Sequence, residues 1–408
     1  MKKILNTLRK TAYKNKLFYF LLYLCFKTSG LAYAFFSILL RVFPVQKKKV
    51  VFCAMKGDRY GDNPKYISEA LMSKNKDIDI VWLLKKKDNY RNIPANITIK
   101  PYSFFSNLYH YVTASVWIDS NTKEYGLLKR KKQLYIQTWH GSYGLKKMYK
   151  DIPEKTDLWD MDIIDHNVKL SDIFVSNSIR TSDIYRRAFG YTGKILECGS
   201  PRNDIFWKNQ DTIREKVKQH YGIHDKKIIL YAPTFRKDFD TNCFIKDYSK
   251  VINACQTRFG GEWVVLVRMH RFNMVDSMKV SKYDKTIINA TDYDDIQELM
   301  VAADIMINDY SSCMFDFVTQ KKPCFLYVSD KDKYYDVRGC SFALEDLPFP
   351  QAQDEDELAN SITTFNFEKY QTTLNVLFEQ VGLCETGHAS ETVANYIISF
   401  IDNNYKTN

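Results

Sequence analysis

The residues able to do chemistry stand at the ends of short apolar runs. His140 closes the run Tyr135-Ile136-Gln137-Thr138-Trp139 and is followed by Gly141, with Lys146 and Lys147 shortly after. An imidazole on such a loop titrates near neutrality, so it could serve as a general acid or base. A histidine merely hydrogen-bonded in a turn would read the same way. Further along, Lys227–Tyr231 runs into Thr234 and Arg236, Trp263–Val267 into Arg268 and His270, and Ile305–Asn308 into Asp309-Tyr310-Ser311-Ser312. Two guanidinium groups, an imidazole and the free amides of a helix opening at the serines would together suit a multiply charged phosphate. The alternative is an ordinary serine-capped helix with two unrelated arginine ion pairs.

These groups converge only if the apolar runs are strands of one parallel sheet. The runs are too short for helices and are bounded by polar residues, as buried strands are. Val50–Ala54, Ile80–Leu84, Val116–Ile118, the run ending at His140, Ile173–Asn177 and Lys194–Glu197 alternate with helical stretches, which predicts a doubly wound parallel sheet. A helix is expected to start at Asn63-Pro64-Lys65-Tyr66, with proline near its first position. The polar, helical stretch Thr212–Tyr221 reads as a hinge, and Lys227–Tyr231 starts a second set of strands that ends with Pro323–Val328. In open α/β sheets ligands bind at the carboxyl ends of strands. The chain carries no Gly-x-x-x-x-Gly-Lys-[Ser/Thr] sequence and no Gly-x-Gly-x-x-Gly at a strand end, which removes support for P-loop and dinucleotide sites.

With 408 residues the chain has room for two domains. Its net charge of +11 fits nucleic acid, anionic lipid or an anionic substrate equally. The nine cysteines are scattered without a Cys-x-x-Cys pair, and the seven histidines lack ligand spacing; both argue against a zinc site or a disulfide framework and for a reducing compartment. Residues 1–49 form a separate, membrane-associating helical segment. Leu17–Phe26 and Thr28–Leu40 are apolar, Lys27 separates them, and lysines and arginines flank both ends. A span would place Lys27 near the bilayer centre, at a cost. One or two helices lying on an anionic membrane surface are expected instead, with a single span or a hairpin packed on the protein as alternatives. Because the first strand is expected at Val50, the segment should be dispensable for folding.

Several motifs in series resemble the CDP-glycerol glycerophosphotransferase family of teichoic acid synthesis. They are Asp62-Asn63-Pro64-Lys65-Tyr66, Gln137-Thr138-Trp139-His140-Gly141 with Lys146-Lys147, Gly199-x-Pro201-Arg202-Asn203-Asp204 and Tyr231-Ala232-Pro233-Thr234-x-Arg236. Arg268-Met269-His270, Asp294-Asp295-Ile296-Gln297-Glu298-Leu299, Asp309-Tyr310-Ser311-Ser312-x-x-Phe315-Asp316 and Gly387-His388-Ala389-Ser390-Glu391 continue the series. The resemblance implies a GT-B fold of two Rossmann-like domains facing a cleft. Residues 50–215 would hold the acceptor and 216–408 the donor, with the last helix able to pack back on the first domain. It implies transfer of a polyol phosphate from CDP-glycerol, or a related CDP-polyol such as CDP-ribitol, to a lipid-linked or growing glycopolymer acceptor at the cytoplasmic face of the membrane. Neither nucleic acid, cofactor nor metal is called for. His140, His270 and Asp316 would be catalytic, with His140 as general base and Asp316 meeting polyol hydroxyls or orienting His270. Thr234, Arg236, Arg268, His270, Asp309, Ser311 and Ser312 would bind the donor, and Asn63, Lys65, Gly141, Lys146, Lys147 and Arg202 the acceptor. A nucleotide-sugar glycosyltransferase is the alternative on the same fold. Two departures from the family pattern are Ser142-Tyr143-Gly144, beside the expected acceptor site, and Phe235 in place of Trp.

Overall fold

The computed structural model describes residues 16–85, 93–234, 236, 243–269, 285–332 and 341–405. Two parallel sheets dominate it. The first holds β1 (Gln46–Cys53), β2 (Asp79–Leu84), β3 (Thr98–Pro101), β4 (Ala114–Asp119), β5 (Leu134–Gln137), β6 (Ile173–Ser176) and β7 (Lys194–Glu197), in the order β3-β2-β1-β4-β5-β6-β7. The second holds β8 (Lys227–Tyr231), β9 (Trp263–Val267), β10 (Ile287–Asn289), β11 (Ile305–Asn308), β12 (Cys324–Tyr327) and β13 (Gln351–Ala352), in the order β10-β9-β8-β11-β12-β13. Strand order reverses between β1 and β4 in one sheet and between β8 and β11 in the other, and such switch points open a crevice at the carboxyl rim.

The near-continuous apolar strands follow from burial on both faces. Along β1, Val50 and Phe52 join one core cluster while Val51 and Cys53 join another, the period of two splitting them across the sheet. Helix α1 (Lys16–Leu39) brings Tyr33 and Phe36 to one face of this sheet. The last helix of the described residues, Ala389–Asn404, brings Val393, Ala394, Ile397 and Ile401 to the other. The division at residue 215 falls inside the helix Gln210–Tyr221, whose Arg214 and Lys216 pair with Asp304 and Glu298 beside the second sheet.

The amino-terminal segment differs from expectation. Among the described residues it is one continuous helix, and Lys27 does not interrupt it, because its ammonium is bonded to Asp162 (2.9 Å) and the Tyr125 hydroxyl (2.7 Å). Phe26 packs on Tyr125 and Trp159, Tyr33 and Phe36 on Phe104, and Gly30 lies where a Cβ would come 2.4 Å from the Tyr125 ring. Removing this helix would bare those aromatic rings, so its deletion is expected to cost stability, contrary to the sequence-based expectation. Its other face keeps Leu17, Phe20, Leu24, Leu31, Phe35 and Ile38 exposed.

Candidate active site

His140 sits where β5 runs out beside the first switch point. Its Nδ1 lies 2.7 Å from the carbonyl oxygen of Ser120, the residue after β4. A carbonyl only accepts, so Nδ1 carries the proton and Nε2 is left as the basic nitrogen. Burial lowers the imidazole pKa below its ordinary value, with Arg202 and Lys56 adding to the fall and Asp62 and the Ser120 carbonyl opposing it. Burial thus favours the neutral ring over the imidazolium. Trp139, stacked on it at 4.6 Å between centroids, adopts the left-handed backbone region (φ 51°), a strained conformation for an aromatic residue. Asn63 holds this turn by donating to the Trp139 carbonyl (3.0 Å).

The loop after His140 crosses to the other domain. Tyr143 and Leu145 belong to the core cluster of the second sheet, with Tyr143 against Phe315 at 4.6 Å. A Cβ on Gly144 would come 3.6 Å from Ser312 Cβ, and one on Gly141 would come 4.0 Å from Ser312 Oγ. The structure thus brings the loop that begins at His140 against Ser312 although 171 residues of sequence lie between those two. His270 lies outside the described residues.

At the second switch point the groups are more tightly committed than their sequence suggests. Arg236 donates to both oxygens of Asp330 (Nε 2.7 Å, Nη2 3.0 Å), and its Nη1 meets Asp309 at 3.0 Å and the Thr234 carbonyl at 2.7 Å. Burial alone would lower this guanidinium, but Asp309 and Asp330 outweigh it and hold the pKa above the usual range. Asp309 also accepts from the Thr234 amide and hydroxyl and from the Tyr310 amide. Arg268 donates through Nη1 to the carbonyls of Ala290 (3.1 Å) and Tyr293 (2.7 Å). In this structure Thr234, Arg236, Arg268 and Asp309 brace the rim, and a phosphate reaching Arg236 in bidentate fashion must displace Asp330. The serine cap comes from Ser311 and not from Ser312: helix Cys313–Phe317 is five residues long, its first amide, that of Cys313, donates to the Ser311 hydroxyl (3.5 Å), and the amides of Asp309 and Ser311 are met by Asn308 Oδ1.

A buried ion-pair chain ties the two rims. Arg202 donates to Asp62 (Nη1, 2.8 Å) on the first domain and to Asp316 (Nε 3.0 Å, Nη2 2.9 Å) on the second. Lys65 does the same one helical turn from Asp62, reaching Asp295 at 2.6 Å. Arg202 and Lys65 are thus cross-domain ties rather than free acceptor contacts, and Asn63 is a brace. Asp316, whose oxygens are taken by Arg202 and Asn203, does not stand open toward a polyol. Removing a partner from such a buried pair would strand a charge in the interior. Lys147 remains exposed, and Lys146 is half-buried.

Sequence reasoning missed three groups. Asp330 follows β12, so the strand-end rule could have found it. Glu385 accepts from Asn203 (2.8 Å), Asn177 (3.1 Å) and the Ser200 amide (3.0 Å), and Asn177 also donates to Ser142 (2.7 Å). Burial pushes the Glu385 carboxyl up to about 7 against the opposing pull of those donors. Asn177 directly follows β6, so the same rule could have found it, whereas no local signal marks Glu385, because its partners are distant in sequence.

The chain matches the family model described as CDP-Glycerol:Poly(glycerophosphate) glycerophosphotransferase over residues 34–399. The chain belongs to that family. Membership makes it a transferase of the CDP-glycerol glycerophosphotransferase kind. It is 29% identical over 395 residues to the teichoic acid poly(glycerol phosphate) polymerase of Bacillus spizizenii, covering 91% of this chain and 98% of that one. It is 29% identical over 368 residues to the teichoic acid glycerol-phosphate transferase of Staphylococcus aureus, covering 86% and 93%. Against the polymerase of Staphylococcus epidermidis it spans about half of the relative's length (51%). The solved structure of the wall teichoic acid polymerase TagF superposes with a TM-score of 0.79 at 28% identity, over 91% of this chain and 94% of that one. The two-sheet architecture is accordingly GT-B-like.

Proposed function

We propose that this protein transfers glycerol phosphate from CDP-glycerol to a hydroxyl of a growing glycopolymer, releasing CMP. The observation that carries this reading is His140, fixed through Nδ1, on a loop whose Gly141 and Gly144 lie against Ser312 of the second domain. The acceptor oxygen attacks the phosphorus that bears the glycerol. Its proton passes to His140 Nε2, the new P–O bond forms, and the bond to the CMP oxygen breaks with its electron pair leaving on CMP. General-base assistance of this kind contributes about 10²–10⁴-fold. The donor pyrophosphate would lie at the rim of β8 and β11, near Ser311, Ser312 and the cationic side of Arg236, with Asp309 and Asp330 fixing that arginine. His140, Gly141 and Lys147 would face the acceptor.

The acceptor would be met at the cytoplasmic face of the membrane. Helix α1 supports this, since one face is held by the folded domain while the other leaves a row of large apolar side chains in water. A row of that size on a helix already anchored to its domain favours lying in a bilayer interface over crossing it. Mass spectrometry of the products formed by the purified protein from CDP-glycerol, CDP-ribitol and UDP-sugars tests the assignment. Glycerol phosphate addition is expected with CDP-glycerol. Ribitol phosphate addition alone would change the polyol, and sugar addition would overturn the reaction class.

A further inference from the structure

Beside the His140 loop lies a second feature that the transfer chemistry does not use. A cavity of about 480 Å³ is lined by Lys147, Arg180, Asp183, Ile184, Arg187 and Ser341. Three of these six side chains are cationic. Arg180 is held in place from two sides: its Nη2 donates to the Ser341 carbonyl (2.9 Å), and its guanidinium lies flat on the Phe342 ring at 3.6 Å. Its Nε is buried and has no partner among the described residues. Arg187 stands in the same cavity with its side chain 55% exposed and pairs with Asp151. Burial first, and then the neighbouring Arg187, push the Arg180 guanidinium below its ordinary pKa, with Asp183 opposing. A folded protein that packs two guanidinium groups toward one cavity and leaves a buried N–H unsatisfied has a place where an anion would lower the energy.

The cavity is joined to the candidate active site through one short loop. Ser341 N and Oγ bond the Leu145 and Gly144 carbonyls (2.6 and 3.0 Å), two and three residues before Lys147 and within the loop that begins at His140. We infer that this cavity is a subsite for a phosphodiester already built into the acceptor, so that Arg180, Arg187 and Lys147 hold the preceding repeat while the terminal hydroxyl lies at His140. The inference rests on the transfer reading above. It accounts for a cationic cavity joined to the loop that begins at His140: an acceptor made of polyol phosphates carries one negative charge per repeat, and an uncharged sugar acceptor would have no use for paired arginines. Holding the previous repeat would also favour acceptors that are already elongated.

The test uses the full-length protein, CDP-glycerol as donor, and two soluble acceptors, one with a single hydroxyl terminus and no phosphodiester and one with several glycerol phosphate repeats. R180Q and R187Q are compared with the parent. Because Arg187 is largely exposed, R187Q is expected to keep the fold, and Tm checks both variants. The expected result is a rise of about 10-fold or more in KM for the repeat-bearing acceptor. KM for CDP-glycerol and kcat with the phosphate-free acceptor should stay unchanged. Calorimetric titration of the parent with donor-free oligo(glycerol phosphate) should show binding that both variants weaken, while inorganic phosphate binds far more weakly. Equal losses with both acceptors, an unchanged KM for the repeat-bearing one, or a loss confined to binding of vesicles containing anionic lipid would each overturn the subsite. A parent protein that transfers nothing from CDP-glycerol would instead strike the transfer reading, and the titration would still judge the cavity by itself.

Discussion

At the carboxyl rim of the first sheet one imidazole is kept neutral by burial and aimed by a single backbone carbonyl, whereas at the rim of the second sheet Arg236 is clamped between two carboxylates and Arg268 is spent on backbone carbonyls. Both rims are switch points of parallel sheets, yet one arranges a group to change its protonation and the other arranges charges so that they cannot. A general base must be unprotonated when the acceptor arrives, and a dry pocket achieves this by penalising the imidazolium. Opposed carboxylates fix the guanidinium in one geometry, which is what the proposed binding of a pyrophosphate at this rim would require. Arg202 connects the two regimes by pairing with a carboxylate from each side.

The comparison breaks most visibly at His140. His140→Ala should lower kcat by about 10²–10⁴-fold while leaving CDP-glycerol affinity nearly unchanged by calorimetry. In the parent the acid limb of kcat/KM should have its midpoint below 6.5, because the base is active only above its own lowered pKa. A variant that kept more than roughly a tenth of kcat would remove the proton-transfer role from this rim.

Next in size is the tie between the rims. Arg202→Met leaves Asp62 and Asp316 buried without their shared partner and should cost about 3–5 kcal/mol of stability, read as a fall in denaturation midpoint. Adding Asp316→Asn should recover part of the loss. If the single substitution were silent, the buried chain would not be what holds the domains in register.

A smaller effect is expected at Glu385. Its carboxyl is raised to about 7 in the folded state against an ordinary value near 4.5, so folded protein holds a proton that the unfolded chain has released. Its contribution is therefore fully present below pH 4.5 and is lost as pH rises through 7. Glu385→Gln should flatten the stability–pH curve across that window by about 3 kcal/mol. Parallel curves for the two proteins would show that the amide donors, and not burial, set this carboxyl.

The smallest effect concerns α1. Leu31→Ser with Phe35→Ser removes exposed side chains only, so Tm should hold. Binding to vesicles containing anionic lipid should fall by about 1.5–3 kcal/mol for each residue that inserts. Activity on a soluble acceptor should not move. A drop in Tm would show that this face also packs on protein.

Much of this was legible in the residues themselves. Short apolar runs ending in polar side chains announced parallel strands and their rims, and His140 before Gly141 marked an imidazole on a strand-end loop. Those signals are local, since backbone geometry and burial impose a period on a strand whatever lies beyond it. Partnership is different. The chain alone could not say that Arg202 would reach Asp62 and Asp316, 140 and 114 residues away, or that Asp330 would claim Arg236. Nor could it say that Tyr143 would be buried in the opposite domain, or that Lys27 would be neutralised by Asp162 within an unbroken helix. A charged residue carries no mark of its counterion, because the energy that selects the pair arises only when folding removes water from both. Sequence determined where the chemistry could stand, and the tertiary structure decided which charges were left to do it.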